Sequence, residues 1–192
     1  MKRLVRKFLA LGIFSFVASP VFAAELAGVE MPDSVEVAGQ SRVLNGQGMR
    51  LATFFKVKVY VAGLYVSHKT HDAETLLSDT DSKLMKMAML RDLKAEQLQE
   101  ALQEGFEKAC SGEECEKYKE AIVQFAKLQP PVKKGELLEY AFLPEKVEVS
   151  HQGKSVGTVQ AAGFSQVMIR VWLGKDPPNS ELKKGLLGLN KK

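Results

Sequence analysis

The chain has 192 residues with 27 basic and 23 acidic side chains, 45% hydrophobic residues and two cysteines. This composition excludes a low-complexity or disulfide-dense class and fits one globular domain with a sizeable core. The excess of positive charge is confined to the N-terminus. Lys2, Arg3, Arg6 and Lys7 lie in the first 23 residues with no acidic partner, so residues 24–192 carry 23 charges of each sign. A net charge of zero gives no support for a nucleic-acid partner or a broad electrostatic membrane surface.

The cationic start is followed by an apolar run from Phe8 to Val17 and by Val21-Phe22-Ala23-Ala24. A basic stretch, an apolar stretch of roughly 10 residues and small residues at the end form the pattern of a secretory signal peptide. The run is short of the ~20 residues of a spanning helix. The expectation is a signal peptide over 1–23, cleavage after Ala23 with Ala24 as the alternative, and a single periplasmic domain over 24–192 with no stable membrane span. No Cys follows the apolar run to take a lipid anchor.

Next, Val35-Glu-Val and Arg42-Val-Leu flank Ala38-Gly39-Gln40 and read as a hairpin. Asn45-Gly46-Gln47-Gly48 reads as a Gly-rich turn. Phe54 to Val66 reads as a strand with a bend or bulge at Ala62-Gly63. On that strand Lys56 and Lys58 share a face with Tyr60, an arrangement expected of a solvated face. His68 and His71 beside Asp72 fit a polar loop, since a metal site needs a third clustered ligand. Asp72 to Leu77 predicts a short capped helix, and Lys83 to Leu90 a strand, although its Met and Leu residues also suit a helix.

Leu98, Leu102 and Phe106 recur at helical spacing over 94–109, and Tyr118, Ile122 and Phe125 do so over 114–128, where Pro130-Pro131 ends the pattern. Cys110 and Cys115 lie between these helices, and in an oxidising compartment so close a pair forms a disulfide. Strands are expected over 138–143, 146–151 and 155–160, with Gln152-Gly153 turning the last hairpin. Helices over 162–173 and 180–187 follow, the second opened by Asn179-Ser180 after Pro177-Pro178. Trp172 and Phe164 fall at core positions. Strand runs with grouped helices give an α+β class with a mostly antiparallel sheet. No phosphate loop, nucleophile elbow, Cys–His pairing, metal set or cofactor motif is present in the sequence.

Gly46, Gly48 and Arg50, followed by Gly63 and Tyr65, resemble the opening of the chalcone-isomerase-like family. Gly163-Phe164, Trp172-Leu173-Gly174, Pro177, Leu182-Lys183 and Leu186-Leu187-Gly188 resemble its closing helix pair, so the likeness covers nearly all of 24–192. The resemblance implies an open-faced β-sandwich, with a large antiparallel sheet, helices on one face and a ligand cleft between them. Family enzymes cyclise chalcones with an Arg, a Thr and a Tyr, and bind the flavonoid through an Asn and another Thr.

By that resemblance Arg50 takes the place of the Arg, Tyr60 of the first Thr, Leu98 of the Tyr, Gly105 of the Asn and Val171 of the last Thr. Losing three polar groups argues against chalcone chemistry. Arg50 and Tyr60 match instead the family's fatty-acid-binding branch, in which such a pair holds an acyl carboxylate. The expectation is a non-catalytic binder of a small lipophilic carboxylate through Arg50, Tyr60, Leu98, Gly105 and Val171, without a cofactor. The competing readings are an isomerase or lyase for an unknown enone, and an assembly factor whose cleft is filled by side chains. In the latter, Arg50 caps backbone carbonyls or pairs with a core carboxylate.

Overall fold

The computed structural model describes residues 25–190. The expected signal peptide therefore lies outside the described residues. Strands β1 (Glu25–Leu26) and β2 (Val29–Glu30) form a small hairpin. They are followed by β3 (Ser34–Val37), β4 (Gln40–Ala52) and β5 (Val57–Val66). Helix α1 (Ala73–Ser78) leads to β6 (Lys83–Met89), and α2 (Ala95–Ala109), α3 (Glu113–Lys117) and α4 (Lys119–Lys127) follow. Strands β7 (Leu137–Phe142), β8 (Lys146–His151) and β9 (Lys154–Gln160) complete the sheet, and α5 (Phe164–Leu173) and α6 (Ser180–Leu186) end the chain.

Strands β3 to β9 lie side by side in sequence order, all antiparallel, in one curled seven-stranded sheet. Ala38-Gly39 and Gln152-Gly153 turn two of its hairpins with both residues at positive φ, the mirror-type turn whose twist matches that of the paired strands. The architecture is α+β with the helices layered on one face. Among the described residues no helix is long and apolar enough to cross a membrane.

Alternation splits the strands' side chains between two cores. Ala62, Leu64, Met85, Met87, Leu138 and Tyr140 point to the helices and belong to the larger cluster. Val61, Tyr65, Leu84 and Ala88 point the other way, where Met31 and the β1–β2 hairpin cover part of the sheet. Helix α5 buries Phe164, Val167, Met168, Ile169, Val171, Trp172 and Leu173. It runs through the middle of the helix layer, which explains why its sequence is apolar nearly all round.

Several local expectations change in three dimensions. Residues 45–48 are not a turn but the middle of β4, and Ala62-Gly63 does not interrupt β5, which pairs through both positions. The irregularities fall on β4, between Leu44 and Gly46 and between Arg50 and Leu51. The glycines have a long-range purpose. A Cβ on Gly46 would meet the Gly185 carbonyl oxygen at 2.2 Å, one on Gly48 the Leu182 carbonyl oxygen at 2.5 Å, and one on Gly185 the Gly48 Cα at 2.5 Å. Helix α6 thus lies on β4 backbone to backbone. Phe54 to Lys56 is a turn, with Thr53 and Lys56 at positive φ, and not the start of a strand. Lys58 is exposed while Tyr60 is buried, because Lys58 stands where β5 runs past the helix layer. The expected helix over 114–128 is two helices meeting at Tyr118, whose hydroxyl donates to the Ala162 carbonyl oxygen at 3.1 Å.

Cys110 and Cys115 are joined in a disulfide, with Cα atoms 5.4 Å apart, that ties the end of α2 to α3. Arg170 of α5 reaches the same corner and holds Glu114 with both terminal guanidinium nitrogens. That pairing keeps the Glu114 carboxyl below its ordinary range.

Two outcomes follow from this packing. Gly48→Ala is expected to destabilise the fold by about 3 kcal/mol, since its methyl group meets backbone rather than a movable side chain; urea unfolding measures this. Cys110→Ser with Cys115→Ser is expected to cost about 2 kcal/mol for a loop this short, and thermal unfolding with and without reductant checks it.

Candidate functional site

The site is built where the free end of β4 passes the N-terminus of α6. Gly46, Gly48 and Arg50 lie two residues apart and pair with Leu64, Ala62 and Tyr60 of β5, so all point to the helix layer. The two glycines lie under α6. Arg50 reaches beyond the end of that helix, where the Pro178 carbonyl oxygen accepts from its Nη1 at 3.1 Å and the Leu51 carbonyl oxygen accepts from the same nitrogen.

Asn179, at the N-cap position of α6, secures the strand around Arg50. Its Nδ2 donates to the Met49 carbonyl oxygen at 3.2 Å, and its Oδ1 accepts from the Leu51 N–H at 3.2 Å. Asn179 thereby occupies the edge of β4 that β3, paired only through Gln40 to Val43, leaves unpaired. Of the two structural roles expected of Arg50, capping carbonyls is the one seen. Among the described residues no carboxylate forms an ion pair with it. Its Nε and Nη2 make no hydrogen bond to a described residue, and together they are one edge of a planar fork that fits a carboxylate.

Tyr60 lies directly across from Arg50. Its oxygen accepts from the Trp172 indole Nε1 at 3.0 Å, so its own hydrogen is free to donate elsewhere. Burial pushes the Tyr60 phenol above its ordinary pKa of 10.0, against smaller opposing effects of the Trp172 hydrogen bond and the Arg50 charge. It remains a neutral donor. Tyr140, which faces the same space, is also pushed well up by burial and then by Tyr60. Its hydroxyl is held by the Gln129 Oε1 at 2.6 Å.

These groups face a cavity of about 350 Å³, within the range of small-molecule sites. Val59 and Met87 supply its sheet wall, Leu98 and Leu102 its α2 wall, and Val171 and Trp172 its α5 wall. Arg91, Gln97, Glu100 and Glu104 also line it and are exposed, so it opens to solvent between α2 and the β4–β5 turn. The cleft is therefore not filled by side chains.

Of the residues singled out from sequence, Arg50, Tyr60, Leu98 and Val171 converge on this cavity. Gly105 does not, and its assignment to the lining is corrected. A Cβ there would sit 2.6 Å from Val171 Cγ1, so Gly105 brings α2 close against α5 and acts behind the wall. Trp172 was expected as core, and it is buried, yet its N–H also orients Tyr60. Pro178 and Asn179 were legible as the start of a helix but not as the anchor of Arg50, which depends on contacts between residues 128 and 130 positions apart. The polar loop holding His68 and His71 is exposed, with His71 Nδ1 lying 2.6 Å from the Leu187 carbonyl oxygen.

A curled antiparallel sheet with one helix layer and a cavity between them, lined by an arginine and a tyrosine, is an open-faced β-sandwich. A family profile described as chalcone isomerase-like matches residues 23–188, and the chain belongs to that family. Comparison with curated protein sequences finds no match. Among solved structures, the chain is similar to the crystal structure of a fatty-acid binding protein of Arabidopsis thaliana. That similarity has 15% identity and a TM-score of 0.65, covering 83% of this chain and 92% of the other, and it shows the shared fold.

Tyr60→Phe is expected to leave the buried Trp172 N–H without its acceptor and to destabilise the fold by about 1–3 kcal/mol. Trp172 is the chain's single tryptophan, so urea unfolding followed by its emission measures this, and a shift of the folded-state emission reports the altered indole environment.

Proposed function

We propose that the protein binds a fatty acid or similar amphipathic carboxylate in this cavity, without catalysis, in the periplasm. The observation that carries the reading is Arg50, fixed through Nη1 and open along its Nε–Nη2 edge, beside the neutral hydroxyl of Tyr60 in a mainly apolar cavity. A carboxylate seated there accepts two hydrogen bonds from the guanidinium and one from the phenol. The acyl chain lies along Leu98, Leu102 and Val171 and gains about 0.8 kcal/mol for each methylene buried. The similar Arabidopsis structure is named as a fatty-acid binding protein, which supports the same ligand class. Leu98 and Val171 add no polar group to the site, which supports binding over ring-closing chemistry.

The test is titration of the purified, delipidated protein with a long-chain fatty acid, read by Trp172 emission and by native mass spectrometry. Arg50→Ala is expected to weaken binding by about 10–150-fold, corresponding to the ~1.5–3 kcal/mol of a charged hydrogen bond. Unchanged affinity in that variant, or no acyl ligand bound by the parent protein, sinks the reading.

The pH dependence has a defined sign. Tyr60, raised above 10.0, stays protonated throughout the neutral range. Affinity is therefore expected to be flat at neutral pH and to fall as the ligand's own carboxyl protonates, near about pH 4–5 for an unperturbed carboxylic acid. Cell fractionation, with the N-terminus read by mass spectrometry, tests export by residues 1–23.

A further inference from the structure

The β4–β5 turn holds the largest unexplained apolar surface among the described residues. Phe54 is 94% exposed and Phe55 85% exposed, with ring centroids 5.9 Å apart. Both stand on a tight turn in which the Lys56 N–H donates to the Thr53 carbonyl oxygen at 3.2 Å. Thr53, a β-branched residue, has φ 62°, a conformation such residues rarely adopt. The turn carries its rings at the rim of the cavity, since Ala52 and Thr53, immediately before them, line it.

The turn's own charges are of one sign. Lys56 and Lys58 are exposed beside them, and between Glu36 and Asp72 the chain has no acidic residue. The zero net charge of residues 24–192 thus conceals a cationic tip. On the opposite side of the opening the exposed cavity residues of α2 include Glu100 and Glu104, so a negatively charged surface would meet the turn and not the helix.

We propose that this turn docks the protein on an anionic lipid bilayer, with Phe54 and Phe55 inserted among the acyl chains and Lys56 and Lys58 on the lipid phosphates. The inference rests on the acyl-binding reading and deepens it, because docking here places the cavity opening against the membrane from which a fatty acid would be taken or to which it would be given. Aromatic rings flanked by cations match the interfacial zone of a bilayer. A protein partner fits less well. Two phenylalanine rings offer about 300–500 Å², against about 800 Å² per side in a stable protein interface.

The experiment is vesicle flotation of the purified protein with phosphatidylglycerol–phosphatidylethanolamine vesicles and with phosphatidylcholine vesicles. The parent chain is compared with F54S/F55S and with K56E/K58E, all with the same N-terminus, so that differences belong to the turn. These four side chains are exposed, and thermal unfolding is expected to be unchanged. The parent protein should float with the anionic vesicles, with partition weakened about tenfold for each ring removed. The K56E/K58E variant should lose the preference for anionic lipid. Equal partition of parent and F54S/F55S overturns the proposal. So does a parent chain that ignores vesicles but self-associates through the turn in sedimentation, which identifies a protein contact instead.

Fatty-acid titration of the same proteins separates this inference from the one beneath it. Lost vesicle binding in F54S/F55S with acyl affinity intact supports a docking turn distinct from the binding site. Absent acyl binding in a parent chain that still floats overturns the carrier reading alone.

Discussion

Helix α6 packs on β4 at a separation that admits no side chain. Gly46 and Gly48 on the strand and Gly185 on the helix make the contact, and a methyl group on any of them would come within 2.5 Å of opposing backbone. The helix axis is thereby held close along the strand, and the chain just before the helix must pass the strand's next inward residue. That residue is Arg50. The Pro178 carbonyl oxygen, Asn179 and the irregularity between Arg50 and Leu51 all occur at this crossing. One packing constraint, between residues that do not line the cavity, sets where the positive charge is held.

Arg50 and Tyr60 share a second property, which is that each is oriented by a partner within the protein. Arg50 is held by two carbonyl oxygens and Tyr60 by the Trp172 indole. Part of the roughly 2 kcal/mol of rotamer entropy of a free arginine side chain is thus already lost in folding, so less would be lost if a carboxylate bound there, as proposed. Preorganisation of this kind favours affinity without additional contact area. The apolar walls are supplied by α2 and α5, which meet closely because Gly105 leaves room for Val171.

The cavity and the exposed turn are parts of one strand pair. β4 leaves the sheet with Arg50 pointing inward, continues through Ala52 to the turn, and returns in β5 to Tyr60.

Local chemistry determined most of the elements. Apolar residues at helical spacing gave α2, strand-type runs gave β6 to β9, Asp72 gave the cap of α1, and Gln152-Gly153 the last hairpin, because each of these depends on neighbours a few positions away. Arg50, Tyr60, Leu98 and Val171 were legible as a set through the family's motifs. The glycines at 46 and 48 were misread as a turn, since their reason is a helix some 140 residues later, and Gly105 was misassigned because its neighbour Val171 is equally remote. Phe54 and Phe55 read as strand residues until the sheet's extent left them in solvent. From sequence alone came the expectation of an N-terminal export signal, most of the helices and strands, and the charged and apolar types available for a site. Tertiary structure decided which of them meet, because backbone-to-backbone packing and hydrogen bonds between distant segments leave no periodic trace in the order of residues.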